Sequence, residues 1–177
     1  MAFLLMNHVF LTGNRNAGKS FLVNKIASNY SKIAGFRTVS VFDRGFRYVY
    51  IVDAYSKILC LTSENLVAIC NNDGAIELFS QNFDKFANLH LSNICSENPD
   101  IFIMDEIGRL ENDSLIFQNA ILDILNCDEV PVLGVLQNSK NSFLRNIILN
   151  LPNCQIFNLE LFNQDEVFES VQKLLLK

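Results

Sequence analysis

The sequence contains little charge, and the charge it has is weighted towards acidic residues. Lys, Arg, Asp and Glu make up 19% of the 177 residues, and the formal net charge is -5 at pH 7. A broad nucleic-acid-binding surface needs an excess of basic residues, so this composition argues against one and is compatible only with a small basic patch. No apolar stretch approaches the ~20 residues that a membrane span requires, so no membrane partner is expected.

Residues that bind zinc are scarce as well. The chain has two His, and its five Cys form no C-x-x-C pair, so we expect no zinc site. An odd, scattered set of thiols is typical of a reduced cytoplasmic protein whose cysteines are mostly buried. The apolar N-terminal segment has no basic region before it and leads directly into a glycine-containing loop, which argues against a signal peptide.

Hydrophobic periodicity predicts alternating strands and helices. Half of the residues are hydrophobic, and there is no repeat, low-complexity tract or linker, so a single domain over residues 1–177 is expected. Strands are predicted at 3–11, 37–42, 49–52, 58–62, 101–104, 132–136 and 155–159, and helices at 20–33, 76–95, 115–125, 143–149 and 165–176. This order favours a three-layer α/β/α fold with a mostly parallel central sheet.

One segment departs from that alternation. Residues 36–70 predict an inserted antiparallel β-meander, with turns at 43–45 and 55–57. A further turn at 71–74 separates this meander from the second predicted helix.

A phosphate-binding loop follows the first predicted strand. Residues 13–20 read Gly-Asn-Arg-Asn-Ala-Gly-Lys-Ser, which matches G-x-x-x-x-G-K-[ST]. Backbone N–H groups at the start of the next helix bind phosphate in such a loop, Lys19 would reach the β- and γ-phosphates, and Ser20 would ligate Mg²⁺. Asn16 stands where many such loops have Gly, and Asn tolerates left-handed backbone. The predicted nucleotide-binding residues are Gly13, Asn14, Arg15, Asn16, Ala17, Gly18, Lys19, Ser20 and Phe21.

Two carboxylates follow the buried strand predicted at 101–104. In an α/β sheet, ligands bind beyond the carboxyl ends of the strands, which is where Asp105 and Glu106 stand. Asp105 suits the acidic residue that holds Mg²⁺. Glu106 suits a base that orients and deprotonates the attacking water, so the pair favours hydrolysis over transfer to a bound acceptor.

These motifs resemble the THEP1-type nucleoside-triphosphatases, also called cancer-related nucleoside-triphosphatases. The D-E-I-G-x-[ML]-E signature of that family matches residues 105–111, and it is the most specific of the shared motifs. Further matches lie at residues 12–20, 35–38, 117, 131–133 and 163–167. The chain departs from the family at three positions. Family members often carry Pro at the position of Arg109, and many carry His where this chain has Leu136-Gln137. At Gln164 the family has Arg.

The resemblance implies a P-loop NTPase fold and Mg²⁺-dependent hydrolysis of ATP, GTP and other nucleoside triphosphates. It also implies a lid-like segment with an arginine, so Arg145 is predicted as a catalytic arginine finger beside Lys19 and Glu106, with Arg109 as the alternative. Gln137 would sense the γ-phosphate, and Glu111 would support an arginine or a water molecule. Asp43, Arg44 and Arg47 in the meander could close over the bound nucleotide or bind an acceptor, but they are more simply explained as exposed residues of a hairpin.

Two other functions remain open at this point. A nucleotide or nucleoside kinase of similar fold would use the meander to hold a phosphoryl acceptor. A nucleotide-dependent switch would hydrolyse slowly and respond to a protein partner, which the sequence does not identify.

Overall fold

The computed structural model describes residues 8–56, 58–127 and 129–175, apart from the side chains of residues 75 and 76. The strands are β1 (His8–Thr12), β2 (Ile33–Asp43), β3 (Phe46–Asp53), β4 (Leu66–Asn71), β5 (Gly74–Leu78), β6 (Ile101–Ile107), β7 (Val132–Leu136) and β8 (Cys154–Asn158). The helices are α1 (Lys19–Ala27), α2 (Ser80–His90), α3 (Ile94–Glu97), α4 (Leu115–Asn126), α5 (Phe143–Ile148) and α6 (Gln164–Leu175).

The strands form one eight-stranded sheet in the order β5-β4-β3-β2-β6-β7-β1-β8. Strands β2, β6, β7, β1 and β8 pair in parallel, whereas β2 to β5 pair with one another in antiparallel fashion. Because β6 and β1 flank β7, their carboxyl ends lie at the same edge of the sheet. This edge carries both the phosphate-binding loop and the two carboxylates.

Helices cover both faces of the sheet, as the alternation of side chains along β6 shows. Ile101 and Ile103 belong to a buried cluster with residues of α1 and α6. Phe102 and Met104 point to the opposite face and share a buried cluster with residues of α2 and α4. The predicted three-layer α/β/α architecture with a mostly parallel sheet is therefore confirmed.

The predicted antiparallel meander exists, but its strands and their place in the sheet differ from the prediction. It comprises β2 to β5, and β2 also pairs in parallel with β6, so the meander widens the main sheet. The strand predicted at 58–62 is wrong, because these residues lie in the connection between β3 and β4. Residues 71–74 form the β4–β5 hairpin turn, in which Asn71 Oδ1 accepts hydrogen bonds from the N–H groups of Asp73 (2.9 Å) and Gly74 (3.1 Å).

Two predicted helices are shorter than the sequence pattern indicated. The helix predicted at 20–33 ends at Ala27, because Ile33 already begins β2 and pairs with Ile101. The helix predicted at 76–95 is reduced to α2, because residues 74–78 form β5. The helices predicted at 115–125 and 143–149 and the strand at 132–136 are confirmed within one residue.

Some predictions fall outside the described part of the chain, namely residues 3–7 of the first strand, residue 57 of the turn predicted at 55–57 and residue 176 of the last helix. Within the described ranges, none of the helices combines the length and apolarity that a membrane crossing requires.

Candidate active site at the phosphate-binding loop

The phosphate-binding loop joins β1 to α1 through a backbone that only certain residues adopt. Gly13, Asn16 and Gly18 have φ angles of 139°, 65° and 91°. A Cβ atom on Gly13 would collide with the carbonyl oxygen of Leu159, so the close approach of the β8–α6 connection requires glycine there. Asn16 adopts the left-handed conformation expected of it. Gly18 caps α1 without a side-chain hydrogen bond to the first-turn N–H groups, which are the anion-binding groups of such a loop.

Lys19 extends back over the loop that precedes it. Its Nζ donates hydrogen bonds to the carbonyl oxygens of Asn14 (2.7 Å) and Gly13 (3.1 Å). The side chain lines an open cleft of about 520 Å³ together with Ser20, Phe21, Asp105 and Glu106. The structure thus brings together the loop and the strand-end carboxylates that the sequence singled out.

Asp105 makes direct contact with the end of the loop, where its carboxylate is hydrogen-bonded to the Ser20 hydroxyl. Burial raises the pKa of this carboxyl, while the Ser20 hydrogen bond and the charges of Lys19 and Arg37 oppose the rise. Arg37 lies opposite Asp105 in the β2–β6 register, which explains its proximity.

The Ser20 and Asp105 oxygens form a donor set of the type that Mg²⁺ prefers. A magnesium ion bound with nucleotide uses one or two carboxylates and completes its shell with phosphate and water oxygens. A site of this type does not need a cluster of acidic residues. No group of three or more His, Cys, Asp and Glu side chains placed to hold a metal occurs within the described ranges.

Glu106 lies beside Asp105 but faces different partners. Gln137 donates a hydrogen bond from Nε2 to its Oε1 at 3.4 Å. Burial and, secondly, the neighbouring Asp105 charge raise the pKa of the Glu106 carboxyl, while Lys19, Arg47 and Arg15 lower it. The net effect is a raised pKa, so Glu106 keeps its proton to a higher pH than a free glutamate does, and the three cations limit this rise. A general base must be ionised, so its activity would be lost as the pH falls through this raised pKa.

Arg47 lines the cleft, although the sequence interpretation favoured an exposed hairpin residue over a role at the nucleotide. It lies on β3 and lines the cleft together with Lys19 and Glu106, although the hairpin explanation placed it in solvent. The sequence contains an indication of this position, because side chains alternate along a strand and Arg47 therefore lies on the same face as Val49 and Ile51, which are both buried. A charge at an inward position of an otherwise apolar strand face indicates a site residue.

The structure does not bring Arg145 to this cleft. Arg145 lies on α5, where its backbone N–H donates to Ser142 Oγ at 3.2 Å, and its buried Nε has no hydrogen-bond partner within the described part of the chain. Its side chain is not among the described residues that line the phosphate cleft. Arg109, the alternative finger, is exposed and lines the adjoining cavities. The role of either arginine in catalysis stays a prediction.

Glu111 fixes the segment that follows β6. Its carboxyl is 3% exposed and accepts a hydrogen bond from the Gly108 N–H at 2.6 Å. Burial raises the pKa of Glu111 from its ordinary value of 4.5 to about 7. Gln118 Nε2, which the sequence did not single out, donates to the Glu111 carbonyl oxygen at 2.8 Å. Glu111 therefore supports the backbone next to Glu106 and Gln137.

Gln164 joins the start of α6 to the phosphate loop. Its Nε2 donates to the carbonyl oxygen of Ala17 at 2.9 Å and lies against Gly18, where a Cβ atom would stand 2.8 Å away. At this position, where the resemblance expects Arg, the shorter amide contacts the loop backbone directly.

Comparisons with known proteins show the family to which this chain belongs. A family model described as NTPase matches residues 8–172. The nucleoside-triphosphatase THEP1 of Methanocaldococcus jannaschii is 27% identical over 95% of this chain and 96% of its own length. The THEP1 of Saccharolobus solfataricus is 30% identical over 75% of this chain and 77% of its own. A cancer-related nucleoside-triphosphatase homolog of Mus musculus is 25% identical over 94% and 95%.

A solved structure shows the same fold. The crystal structure of THEP1 from Aquifex aeolicus superposes with a TM-score of 0.70, at 23% identity, over 96% of this chain and 99% of that one. The loop, the strand-end carboxylates and the family match lead to one conclusion: this chain belongs to the NTPase family and is a nucleoside-triphosphatase of the THEP1 type.

Proposed function

We propose that this enzyme hydrolyses the terminal phosphate of nucleoside triphosphates, including ATP and GTP, in a Mg²⁺-dependent reaction with water as the acceptor. The observation that carries the proposal is that Lys19, Ser20, Asp105 and Glu106 line one cleft. In this arrangement the Ser20 and Asp105 oxygens would bind the metal, and Glu106 would supply a separate base at the same loop.

The loop and Lys19 would hold the triphosphate. Backbone N–H groups at the start of α1 bind the phosphate oxygens, and the α1 dipole favours their negative charge. The Lys19 ammonium would exchange its bonds to the Gly13 and Asn14 carbonyls for bonds to the β- and γ-phosphates. Asn14, Arg15, Asn16 and Ala17 would shape the loop around them.

The Ser20 hydroxyl and the Asp105 carboxylate would hold Mg²⁺. When bound, the ion neutralises charge that develops on the phosphates during transfer. Ser20 and Asp105 are proposed for this role because both line the cleft and the Ser20 hydroxyl lowers the pKa of the Asp105 carboxyl.

Glu106 would orient the attacking water and accept its proton. The Gln137 amide bonded to Glu106 would fix the direction of the carboxylate and leave the other oxygen for water. With no acceptor bound, such a base would act on water, and hydrolysis would follow.

Of Arg47 and Arg145, Arg47 is the better placed to stabilise the γ-phosphate. It lines the cleft beside Lys19 and Glu106, as Arg15 of the loop also does, whereas Arg145 does not. A guanidinium aimed at the transferred group stabilises the charge of the transition state. We therefore propose Arg47 in the role that sequence reasoning gave to Arg145.

Phe21 supports binding of nucleoside triphosphates with different nucleobases. It follows the loop on α1, lines the cleft and is 67% exposed. An aromatic ring stacks on any nucleobase, because every base has a π-face, and so it binds without selecting one. Hydrolysis of several nucleoside triphosphates is the expected consequence, and the cytoplasm supplies them all.

The proposal is tested by phosphate release from ATP, GTP, CTP and UTP, measured with Mg²⁺ and with a chelator. We expect release from all four at rates within about tenfold of one another, loss of activity with the chelator, and loss in Lys19→Ala but not in the exposed control Lys140→Ala. Release that requires an added nucleoside or nucleotide acceptor would instead show a kinase. Release that rises many-fold only with a protein fraction would show a switch.

A further inference from the structure

A second cavity, of about 540 Å³, adjoins the phosphate cleft between the β2–β3 and β4–β5 turns. Four of the chain's six arginines line it, namely Arg15, Arg44, Arg47 and Arg109. Arg109 reaches across to the β4–β5 turn, since a Cβ atom on Gly74 would stand 3.6 Å from its Nη2. Residues distant in sequence thus place their guanidinium groups around one opening.

Among the residues that the structure describes, no carboxylate lies within salt-bridge distance of these arginines. Across the described ranges the single ion pair joins Lys85 to Glu64, at 3.2 Å. Arg47 Nη2 has a contact of 3.6 Å with Cys70 Sγ, which supplies no opposing charge. In an acidic protein, a cluster of arginines that pairs with none of the abundant carboxylates repels itself unless an anion binds there. The planar guanidinium matches phosphate oxygens in particular.

The net charge of the residues that line the cavity indicates the charge of the anion that would bind there. Asp43 and Asp73 lie in the wall with the four arginines, so the lining carries two positive charges in excess. A phosphate monoester carries about -1.5 to -2 charges at pH 7, which matches that excess. A triphosphate carries more charge and already has a dedicated loop.

The rim of the cavity adds aromatic surface. Phe42 and Phe46 line it and are 69% and 38% exposed. Exposed rings beside phosphate-binding arginines are suited to stack on a nucleobase. The volume lies within the range of small-molecule sites, so it fits a free nucleotide.

We propose that this cavity is a second nucleotide site, which binds a nucleoside monophosphate with its phosphate on the arginines and its base against Phe42 and Phe46. The site is distinct from the phosphate-loop cleft, because Arg44 and the β4–β5 turn line only this cavity. Arg15 and Arg47 line both, so the monophosphate would lie beside the terminal phosphate of the bound triphosphate. The inference goes beyond hydrolysis and does not require it.

The test uses the full chain with the phosphate loop saturated by Mg²⁺ and a non-hydrolysable ATP analogue. Binding of radiolabelled AMP is then measured by equilibrium dialysis. We expect one additional AMP per chain, with an affinity at least tenfold lower in Arg44→Gln and at least fivefold lower in Phe42→Ala. Adenosine, which lacks the phosphate, should bind at least tenfold more weakly than AMP.

The matched control is Lys173→Gln, which removes one positive charge from an exposed position on α6 and should bind AMP within twofold of wild type. Arg44→Lys, which keeps the charge, should recover part of the affinity. The inference is overturned if AMP only displaces the analogue, if no AMP binds at millimolar concentration, or if Arg44→Gln behaves like Lys173→Gln. Because no step in this assay is hydrolytic, an enzyme without phosphate release leaves the result unaffected.

Discussion

At the scale of single residues, two adjacent carboxylates have different surroundings. Asp105 is hydrogen-bonded to the Ser20 hydroxyl, and it lies opposite Arg37 in the register of β2 and β6. Glu106 instead meets Gln137 and the charges of Lys19, Arg47 and Arg15. Burial raises the pKa of both carboxyls, and the neighbouring cations limit the rise. This difference in partners is the physical basis for assigning the metal to one and the water to the other.

Substitution of the two candidate arginines should separate them. Arg47→Gln is expected to lower kcat by about 10³-fold, since an arginine at the transferred phosphate contributes that much or more. Arg145→Gln should stay within threefold of wild type. Because Arg47 lowers the pKa of Glu106, its loss should also move the acidic limb of the kcat/KM profile to higher pH. The reverse pattern of rates would restore Arg145 as the finger.

The buried Glu111 carboxyl should make stability depend on pH. Burial raises its pKa to about 7, so the folded protein keeps this proton to a higher pH than the unfolded chain does. Stability should therefore fall as the pH rises from about 4.5 to about 7 and then level off. Glu111→Gln stays neutral and still accepts from the Gly108 N–H, so it serves as the reference.

Between pH 5 and pH 8, wild type should lose roughly 2 to 3 kcal/mol relative to Glu111→Gln. The measurement is urea unfolding of both proteins at each pH. Unfolding free energies that stay parallel across this range would show that Glu111 titrates normally.

At the scale of the elements, the site depends on how closely β2 approaches β6. Gly35 lies opposite Ile103 with a φ of 129°, and a Cβ atom there would collide with the Ile103 carbonyl and stand 2.6 Å from its nitrogen. The same pairing sets Arg37 against Asp105. A change at Gly35 would therefore separate the strands that hold the Asp105 carboxylate in place.

Gly35→Ala is expected to cost at least about 4 kcal/mol of stability or to prevent folding. The control is Gly45→Ala in the β2–β3 turn, where φ is 83° and no atom lies within 4 Å of the added Cβ. That variant carries backbone strain alone and should lose only about 1 to 2 kcal/mol. Equal losses in chemical denaturation would contradict the close approach of β2 and β6.

At the scale of the whole molecule, the sequence predicts what is locally encoded. The loop at 13–20 is specified by glycine, lysine and serine at fixed spacing, and the alternation of apolar strands and helices predicts the three layers. Asp105 and Glu106 could be assigned to the same edge as the loop because parallel strands share the direction of their carboxyl ends. Each of these inferences needs only neighbouring residues and a general rule of α/β folds.

The remaining features depend on contacts between distant segments. The apolar pattern predicts that residues 76–78 begin a helix, whereas pairing with β4 makes them part of a strand. Arg47 reaches the cleft only because β3 joins the main sheet through β2. The arginine cavity brings together Arg15, Arg44 and Arg109, which no local pattern relates.

The central claim, hydrolysis with Glu106 as the base for water, is tested most directly by Glu106→Gln. We expect this variant to bind Mg²⁺-ATP within about threefold of wild type, because the loop, Lys19, Ser20 and Asp105 are intact. Single-turnover phosphate release should slow by a factor of about 10² to 10⁴, the usual contribution of a general base. Release within tenfold of wild type, or a loss of nucleotide affinity that matches the loss of rate, would contradict the account.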